Sequence, residues 1–462
     1  MLPKLLLVSV WSLFLEIWLI RWISTEIRIF AYVNNLVLLA CFLGLGAGYA
    51  FPKEKPRLVP MFLALGVLVI SVHAWPFQMI TDLLSTFSDT VIWYNPGHHG
   101  SFESVVQGVC LTVCMFGMIA AVFFPIGQLL GGLFNSCSNT IFAYSLNIVG
   151  SILGIWLFAG MSFLSTPPLF WFLLAAIPPL FLLGGDQWER ICFVLLVVFC
   201  TIIFSVERNA SDLTYWSPYQ KLTIRPNTIG KLADGFQVNV NNVGYMCLLD
   251  LSKDFIGKHF GDNEAVMRLY AHNQYELPYQ LKPGAKDVLI VGSGGGNDVA
   301  GALRSGVERI DAVEIDPIIY KIGKYFHPER PYSSAKVHVT IEDARSFFQE
   351  MRGKRQYDMV VFGLLDSHTL NSAYNNIRLD HYVYTRESLE QAKALLKPGG
   401  LLSLSFEARK PWIASRLQGL LTEVFGRPPL TCRIRPSTQA VGWGGMGVKF
   451  LKHVLANFLI NL

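Results

Sequence analysis

Charged side chains are distributed very unevenly along this chain of 462 residues. Residues 1–206 contain 15 of the Asp, Glu, Lys and Arg side chains, and residues 207–462 contain the other 56. One charge in about 14 residues is compatible with a lipid environment, whereas one in about five is usual for a soluble protein. The distribution excludes a single soluble globule. It predicts an α-helical transmembrane bundle in residues 1–206, followed by a soluble part.

The apolar part contains stretches of about 20 residues, the length that a membrane-spanning helix requires. Glycines recur at close spacing within residues 44–48 and 150–154, which predicts close contacts between helices there. The most basic loop, residues 53–57, is expected on the cytoplasmic side. Seven spans would then place the soluble part outside, and six or eight would place it inside. We predict about seven spans, near residues 5–23, 31–51, 58–76, 104–125, 141–163, 168–184 and 190–206.

Composition also argues against two classes of partner. The formal net charge of +5 is modest and the basic residues are scattered, so we expect no nucleic-acid partner. The eight cysteines form no Cys-x-x-Cys pair and most lie in the apolar part. We therefore expect neither a disulfide framework nor a metal site.

The soluble part begins with a small unit in residues 213–283. Its short alternating runs predict an antiparallel β-unit with turns at Pro226-Asn227 and Asn241-Asn242, followed by a connecting helix. Residues 446–462 form a short apolar tail that is too short to span a bilayer. We expect it to be either an interfacial helix or the beginning of a segment that this sequence does not contain.

Between these segments, residues 284–445 alternate apolar strands with helical patterns. This alternation predicts an α/β domain with a Rossmann-like, doubly wound sheet of the methyltransferase type. A turn is expected at Pro398-Gly399-Gly400, before the fifth strand. The strands are predicted near residues 287–292, 310–315, 337–341, 357–363 and 400–406.

A glycine-rich loop follows the first of these strands directly, with Gly292, Gly294 and Gly296 at alternate positions. Glycines allow a ligand to approach the backbone closely, and the loop opens a helix whose N-terminus faces that ligand. The dinucleotide pattern Gly-x-Gly-x-x-Gly is not matched, because Asn297 stands where its third glycine would be. The loop therefore implies no pyrophosphate cradle, and by itself it is also compatible with a purely structural turn.

Acidic residues end the next two strands. Glu314 could accept hydrogen bonds from both hydroxyls of a ribose, and Asp343 could accept one from an adenine amine. Because the carboxyl ends of parallel strands meet at one crevice, these positions predict an adenosine-type ligand. The alternative is that each acid caps the helix that follows it.

At these positions the chain resembles the spermidine synthase (polyamine aminopropyltransferase) family, within the S-adenosylmethionine-dependent methyltransferase superfold. The resemblance covers about residues 213–426, and bacterial membrane proteins with this domain behind helical spans are also similar over the first part. The matching segments are Ser217-Pro-Tyr219-Gln220, Leu269-Tyr270, the glycine loop, Glu314-Ile-Asp316, Asp343-Ala344 and Tyr384-Thr-Arg-Glu387.

The resemblance implies S-adenosylmethionine or its decarboxylated form as co-substrate, without a metal, and a small amine such as putrescine as acceptor. It implies that Gln220 and Tyr270 line the site, that Glu314 holds the ribose, and that Asp343 and Ala344 hold the adenine. A homodimer formed through the soluble domain is a further expectation.

Three positions depart from the family pattern. Gly295 replaces the aspartate of the glycine loop, and Ala271 replaces a glutamine or histidine. Most importantly, the family motif Asp-Ser-Ser-Asp after the fourth strand is Gly363-Leu-Leu-Asp366 here, so that its first, catalytic aspartate is a glycine. These departures put ordinary spermidine synthesis in doubt.

The remaining candidates for acid–base chemistry are Asp366, with His368 two residues later, and Tyr270. A loop histidine is more often a solvated residue than a catalytic one. Asp298, counted among the residues that bind the cofactor, could partly replace the lost acid of the glycine loop.

These features predict a membrane-anchored transferase that moves an aminopropyl group from the adenosyl sulfonium to an amine. The alternatives are an S-adenosylmethionine-dependent methyltransferase and a non-catalytic, cofactor-binding or transport-associated membrane module, which Gly363 favours. Because such a cofactor is supplied in the cytosol, we expect a multi-pass protein of the inner membrane with its soluble domain in the cytoplasm.

Overall fold

The chain divides into two compact units, of which the first ends at Lys221 and the second begins at Leu222. The computed structural model describes residues 2–27, 29–30, 35–73, 84, 102–183, 187–206, 212–229, 232–261, 263, 273–365, 382–407, 411–434 and 447–453.

The first unit is built from apolar helices that lie where the sequence predicts spans. By length and composition, α1, α4, α5 and α8 are able to cross a membrane, whereas α2, α3 and the α6–α7 pair are apolar but shorter. Helix α4 continues well beyond the predicted span 104–125. The helices are α1 (Leu2–Glu26), α2 (Asn35–Ala50), α3 (Val59–His73), α4 (Phe102–Asn135), α5 (Thr140–Phe163), α6 (Pro168–Ala175), α7 (Ile177–Leu182) and α8 (Gln187–Ser205).

Glycines allow these helices to pack with their backbones in contact. A Cβ atom on Gly44 of α2 would lie 2.2 Å from the carbonyl oxygen of Ala120 in α4. In the same way, a Cβ on Gly154 of α5 would lie 2.4 Å from the carbonyl oxygen of Val10 in α1. The close contacts predicted from the glycine spacing are therefore present, and larger side chains at these positions would push the helices apart.

The segment after the last helix of this unit is attached to the end of α1 by buried charges. Strand β1 (Leu213–Trp216) places the Trp216 ring 5.0 Å from that of Trp171, and the Arg21 guanidinium lies over both rings. Lys221 Nζ lies 2.8 Å from Glu26 Oε1 and 3.1 Å from Glu26 Oε2, and both side chains are buried. A buried ion pair of this kind requires both partners.

The second unit begins with three antiparallel strands, β2 (Lys221–Ile229), β3 (Leu232–Val240) and β4 (Val243–Leu249). The predicted turn at Asn241-Asn242 is present, with φ values of 47° and 63° that favour asparagine. The predicted turn at Pro226-Asn227 is wrong, because Pro226 pairs with Phe236 inside the ladder. The proline is accommodated next to an irregularity in register at Asn227/Thr228.

A seven-stranded sheet follows in the order β7-β6-β5-β8-β9-β11-β10. Strands β5 to β9 pair in parallel, whereas β11 is antiparallel to both β9 and β10. The order reverses on either side of β5, which defines a doubly wound sheet and confirms the predicted Rossmann-like arrangement. The strands are β5 (Asp287–Val291), β6 (Arg309–Glu314), β7 (Val337–Ile341), β8 (Tyr357–Phe362), β9 (Leu396–Glu407), β10 (Leu430–Ile434) and β11 (Gly447–His453).

Two expectations for this sheet need correction. The turn expected at residues 398–400 lies inside β9, where Gly399 has a φ of 73° and the pairing with β8 skips from Leu396 to Leu401. The start of the apolar tail is not a separate helix. It is strand β11, whose residues 447–453 pair with β9, so this part belongs to the domain.

Helices flank the sheet and are amphipathic or short. Ile318, Ile319 and Ile322 of the helix after β6 pack against Leu222 and Leu248 of the small β-unit. The β-unit is thereby held close to the turn that follows β5. The helices are α9 (Lys253–Phe260), α10 (Leu277–Leu281), α11 (Asn297–Arg304), α12 (Pro317–Phe326), α13 (Ala344–Met351), α14 (Arg386–Ala394) and α15 (Pro411–Phe425).

Replacing Lys221 by Met should lower the stability of the first unit by about 3–5 kcal/mol, because the Glu26 carboxylate would be left buried without its ammonium partner. Thermal unfolding of the full chain in detergent measures this effect. The double variant with Glu26→Gln should unfold at a higher temperature than Lys221→Met alone. Equal midpoints for wild type and Lys221→Met would contradict a buried, interacting pair.

Candidate ligand-binding site

The glycine loop connects β5 to α11 by a tight turn at the carboxyl edge of the sheet. Gly292, Gly294 and Gly296 have φ values of 65°, 56° and 104°, a region that side-chain-bearing residues rarely adopt. Ser293 N donates to the carbonyl oxygen of Val313 at 2.9 Å, which attaches the loop to β6. The three glycines of the predicted cofactor site are therefore required by the backbone itself.

Glu314, at the end of β6, fixes the loop from the side. Its Oε2 accepts a hydrogen bond from Gly294 N at 2.8 Å, and its Oε1 accepts one from Asp316 N at 2.9 Å. Burial raises the pKa of Glu314 to about 7, although the two backbone donors act in the opposite direction. Glu314 does not cap α12, because Asp316 does so by accepting from Ile318 N at 2.9 Å. The capping alternative for Glu314 is therefore wrong.

Asp343 does have the capping role that the sequence left open. Its Oδ1 accepts hydrogen bonds from Arg345 N at 2.9 Å and Ser346 N at 3.1 Å, at the start of α13. The Asp343 side chain is exposed, and Ala344 behind it is buried. Helix capping explains the aspartate at this position by itself, and adenine binding stays a prediction.

The side chains of Tyr332, Asn297 and His327 hold the loop in place, and the sequence did not single out Tyr332 or His327. The Tyr332 hydroxyl donates to Gly294 O at 2.7 Å and lies 3.0 Å from Ser293 Oγ. Asn297 donates to Cys247 O at 2.7 Å, and its Oδ1 lies 3.0 Å from His327 Nε2. Burial, and then the charge of Arg304, lower the pKa of His327 to about 3, so that this ring stays neutral.

The β8 side of the loop is formed by Gly363 and Leu365. Gly363 N donates to Val291 O at 3.0 Å, which holds the chain after β8 against β5. A Cβ on Gly292 would lie 1.5 Å from Leu365 Cδ2, so the leucine covers this part of the loop. A Cβ on Gly363 would lie 3.1 Å from Asp298 Oδ2, which places that carboxylate at the end of β8.

Gly295 stands where the family that the sequence resembles has an aspartate, and the structure leaves little room for a larger side chain at this position. A Cβ at this position would lie 2.2 Å from Leu248 Cδ2 and 2.9 Å from Met246 Sδ, both from β4. Apolar side chains of the small β-unit thus occupy the space that a larger residue would need.

The structure tests the other predicted site residues only in part. Gln220 lies in the first unit, in a turn where Ser217 Oγ accepts a hydrogen bond from Gln220 N at 3.0 Å. Tyr270, Asp366 and His368 lie outside the described residues, so their roles stay predictions. Among the described residues, no group of three or more His, Cys, Asp or Glu side chains is arranged to hold a metal ion.

The second unit is thus a doubly wound α/β domain with a candidate ligand site at the carboxyl ends of β5 and β6. Residues 267–420 match the family described as "Spermine/spermidine synthase domain". This part of the second unit is therefore similar to the domains of that family.

The curated relatives are similar over part of their length. The polyamine aminopropyltransferase of Pyrobaculum calidifontis is 24% identical over 203 residues, which are 43% of this chain and 61% of that protein. The enzyme of the same name from Vibrio vulnificus is 33% identical over 125 residues, which are 26% of this chain and 38% of that protein. The chain thus spans less than two thirds of the length of each relative.

Solved structures that resemble the chain include a spermidine synthase in complex with the transition state analogue AdoDATO. It is 15% identical with a TM-score of 0.37, over 53% of this chain and 72% of that one. The spermidine synthase from Thermotoga maritima is 14% identical with a TM-score of 0.36, over 52% and 70%.

Helix α12 supports the loop through Gly323, and this contact is testable. A Cβ on Gly323 would lie 2.4 Å from the carbonyl oxygen of Gly295, so Gly323→Ala should displace the loop and lower stability by about 1–3 kcal/mol. Chemical denaturation of the full chain measures the effect. Gly419→Ala, at an exposed position of α15 with no atom within 4 Å of the new Cβ, is the matched control and should stabilise by roughly 0.5–1 kcal/mol. Equal losses in both variants would contradict the contact.

Proposed function

We propose that the second unit transfers the aminopropyl group of decarboxylated S-adenosylmethionine to a small amine such as putrescine. The observation that carries this proposal is the buried Glu314 carboxylate bound to the glycine loop, in a domain that matches the spermine/spermidine synthase family. The names of the relatives support the same class of reaction.

Glu314 and the glycine loop suit the nucleoside part of such a substrate. Each carboxylate oxygen has two lone pairs, so Glu314 is able to accept ribose hydroxyls while it keeps its bonds to Gly294 N and Asp316 N. The positive end of α11 and the backbone of Gly292 then lie toward the rest of the ligand. Asp343 and Ala344 are proposed to contact the adenine, and Gln220 and Tyr270 to line the site.

The transfer requires a neutral nitrogen on the acceptor and a sulfonium on the donor. The nitrogen lone pair forms a bond to the carbon next to sulfur, and the electron pair of the broken carbon–sulfur bond stays on sulfur, which becomes a neutral thioether. An acceptor that arrives as an ammonium must first lose a proton, and a carboxylate is a suitable group to bind the ammonium and take up that proton. Asp366 and His368 are the sequence-predicted candidates for this chemistry.

The first unit is proposed to anchor this enzyme in a lipid bilayer, since four helices among its described residues are long and apolar enough to cross it. The cytosolic origin of the proposed co-substrate favours a multi-pass inner-membrane protein with the second unit in the cytoplasm. A homodimer through the second unit is also proposed.

One observation favours a different function. Gly363 leaves the end of β8 without a carboxylate of its own, as expected for a module that binds an adenosyl ligand without turning it over. A transferase would consume the acceptor amine, whereas a binding module would leave it unchanged.

The deciding experiment incubates the full-length protein in nanodiscs with decarboxylated S-adenosylmethionine and putrescine, and follows spermidine by mass spectrometry. We expect turnover, and we expect Asp366→Asn to reduce it by about 100-fold. Glu350→Gln, which changes an exposed side chain on α13, is the control and should retain activity. Ligand binding without consumption of any amine would overturn the transferase proposal, and methylation by S-adenosylmethionine would replace it with the methyltransferase.

The raised pKa of Glu314 predicts how nucleoside binding depends on pH. Ribose hydroxyls donate to the ionised carboxylate, and with a pKa of about 7 its ionised fraction rises across neutral pH. The affinity for 5′-methylthioadenosine, a neutral ligand, should therefore increase about tenfold between roughly pH 6 and pH 8. Calorimetry at several pH values measures this, and Glu314→Gln should bind more weakly and without the pH dependence. An affinity of the wild type that is constant over this range would contradict the role of Glu314.

A further inference from the structure

Two carboxylates lie on opposite sides of the end of β5. Strand β6 is one neighbour of β5 and ends at Glu314, and strand β8 is the other neighbour and is followed by Gly363. In doubly wound sheets, ligands bind outside the carboxyl ends of the strands at the point where the strand order reverses. Here that point lies between β5 and β8, so Gly363, which follows β8, lies next to it.

The side chain beside Gly363 is that of Asp298. A Cβ on Gly363 would lie 3.1 Å from Asp298 Oδ2 and 2.8 Å from the carbonyl oxygen of Gly292. The carboxylate of Asp298 therefore occupies the space into which a side chain at position 363 would extend. An acidic group thus lies next to the end of β8, although residues 362–365 themselves include no Asp or Glu.

The position of Asp298 is fixed by its place on α11. It is the second residue of this helix, which begins directly after Gly296. The residue before it, Asn297, is held by its hydrogen bonds to Cys247 O and His327. A helix start anchored in this way holds the carboxylate without relying on a flexible loop.

The surroundings of Asp298 include a buried polar group with unused hydrogen-bonding capacity. The Tyr279 side chain is 7% exposed, and its hydroxyl has no hydrogen-bond partner among the described residues. Burial, and then the negative charge of Asp298, raise the pKa of Tyr279. The Tyr279 hydroxyl therefore stays protonated and is able to donate a hydrogen bond.

The geometry points to Asp298 as a second acidic residue, in addition to the sequence-predicted Asp366, that binds the ammonium group of the acceptor amine and takes up its proton, while Glu314 holds the nucleoside on the other side of β5. This inference rests on the proposed function and adds a residue to it. Asp298, predicted from the sequence to contact the cofactor, is thereby assigned to the acceptor.

The acceptor R–NH₃⁺ gives one proton to the Asp298 carboxylate and becomes R–NH₂. Its lone pair then forms the new carbon–nitrogen bond as the carbon–sulfur bond of the sulfonium breaks toward sulfur. The product carries the positive charge on nitrogen, and the carboxylic acid of Asp298 returns its proton to water.

The test separates binding from turnover in the full-length protein in nanodiscs. Putrescine is titrated calorimetrically into protein saturated with 5′-methylthioadenosine, and turnover with decarboxylated S-adenosylmethionine is measured in parallel. Asp298→Asn should weaken putrescine binding at least tenfold and lower kcat about 100-fold. It should leave the affinity for 5′-methylthioadenosine within about threefold, which also shows that the variant is folded.

Asp254→Asn is the matched control, because Asp254 is the exposed second residue of another eight-residue helix in the same unit. It removes the same charge from the same helix position and should change none of the three readouts. Unchanged putrescine binding in Asp298→Asn, or no putrescine binding by the wild type, overturns the assignment of Asp298. Putrescine binding that depends on Asp298 without turnover supports the assignment and overturns the transferase proposal instead.

Discussion

The hydrogen bond from Gly294 N to the buried Glu314 carboxylate organises the candidate ligand site. It joins the turn after β5 to the end of β6, and the same carboxylate also fixes the backbone at the start of α12. Tyr332 closes the turn from the opposite side by donating to Gly294 O. Without this carboxylate, the loop would lose a buried acceptor for its backbone N–H, which is costly in an interior with little water.

Sequence patterns predicted the strands of the parallel sheet well, because each is a short apolar run that ends near a glycine or an acid. They failed where packing decides the outcome. Pro226 lies within a ladder since a local irregularity accommodates it, and residues 398–400 interrupt β9 without ending it. Strand β11 was missed because seven residues of mixed character acquire strand geometry only when β9 lies beside them.

In the candidate site, too, local sequence patterns predicted some residues and missed those whose contacts depend on the fold. Glu314 was expected at the site from its position at the end of a strand, but its contact with the glycine loop was not predicted, and ribose binding stays a prediction. Asp343 satisfied an equally good pattern, yet its Oδ1 is used to cap α13. Tyr332 and His327 carry no local signal, since they act on a loop some 30 to 40 residues earlier in the chain. The proximity of Asp298 to Gly363 also depends on the fold, because α11 and the end of β8 are distant in sequence.

The boundary at Lys221 matters for the design of truncated fragments of this protein. A fragment that starts at residue 213 would carry Trp216 and Lys221 away from the helices that bury them, and would expose an indole and an unpaired ammonium to solvent. A fragment that stops at residue 445 would lose β11 and bare the hydrogen-bonding edge of β9, the kind of edge that recruits other chains. Aggregation of such a fragment would then reflect the position of the truncation rather than a property of the intact protein.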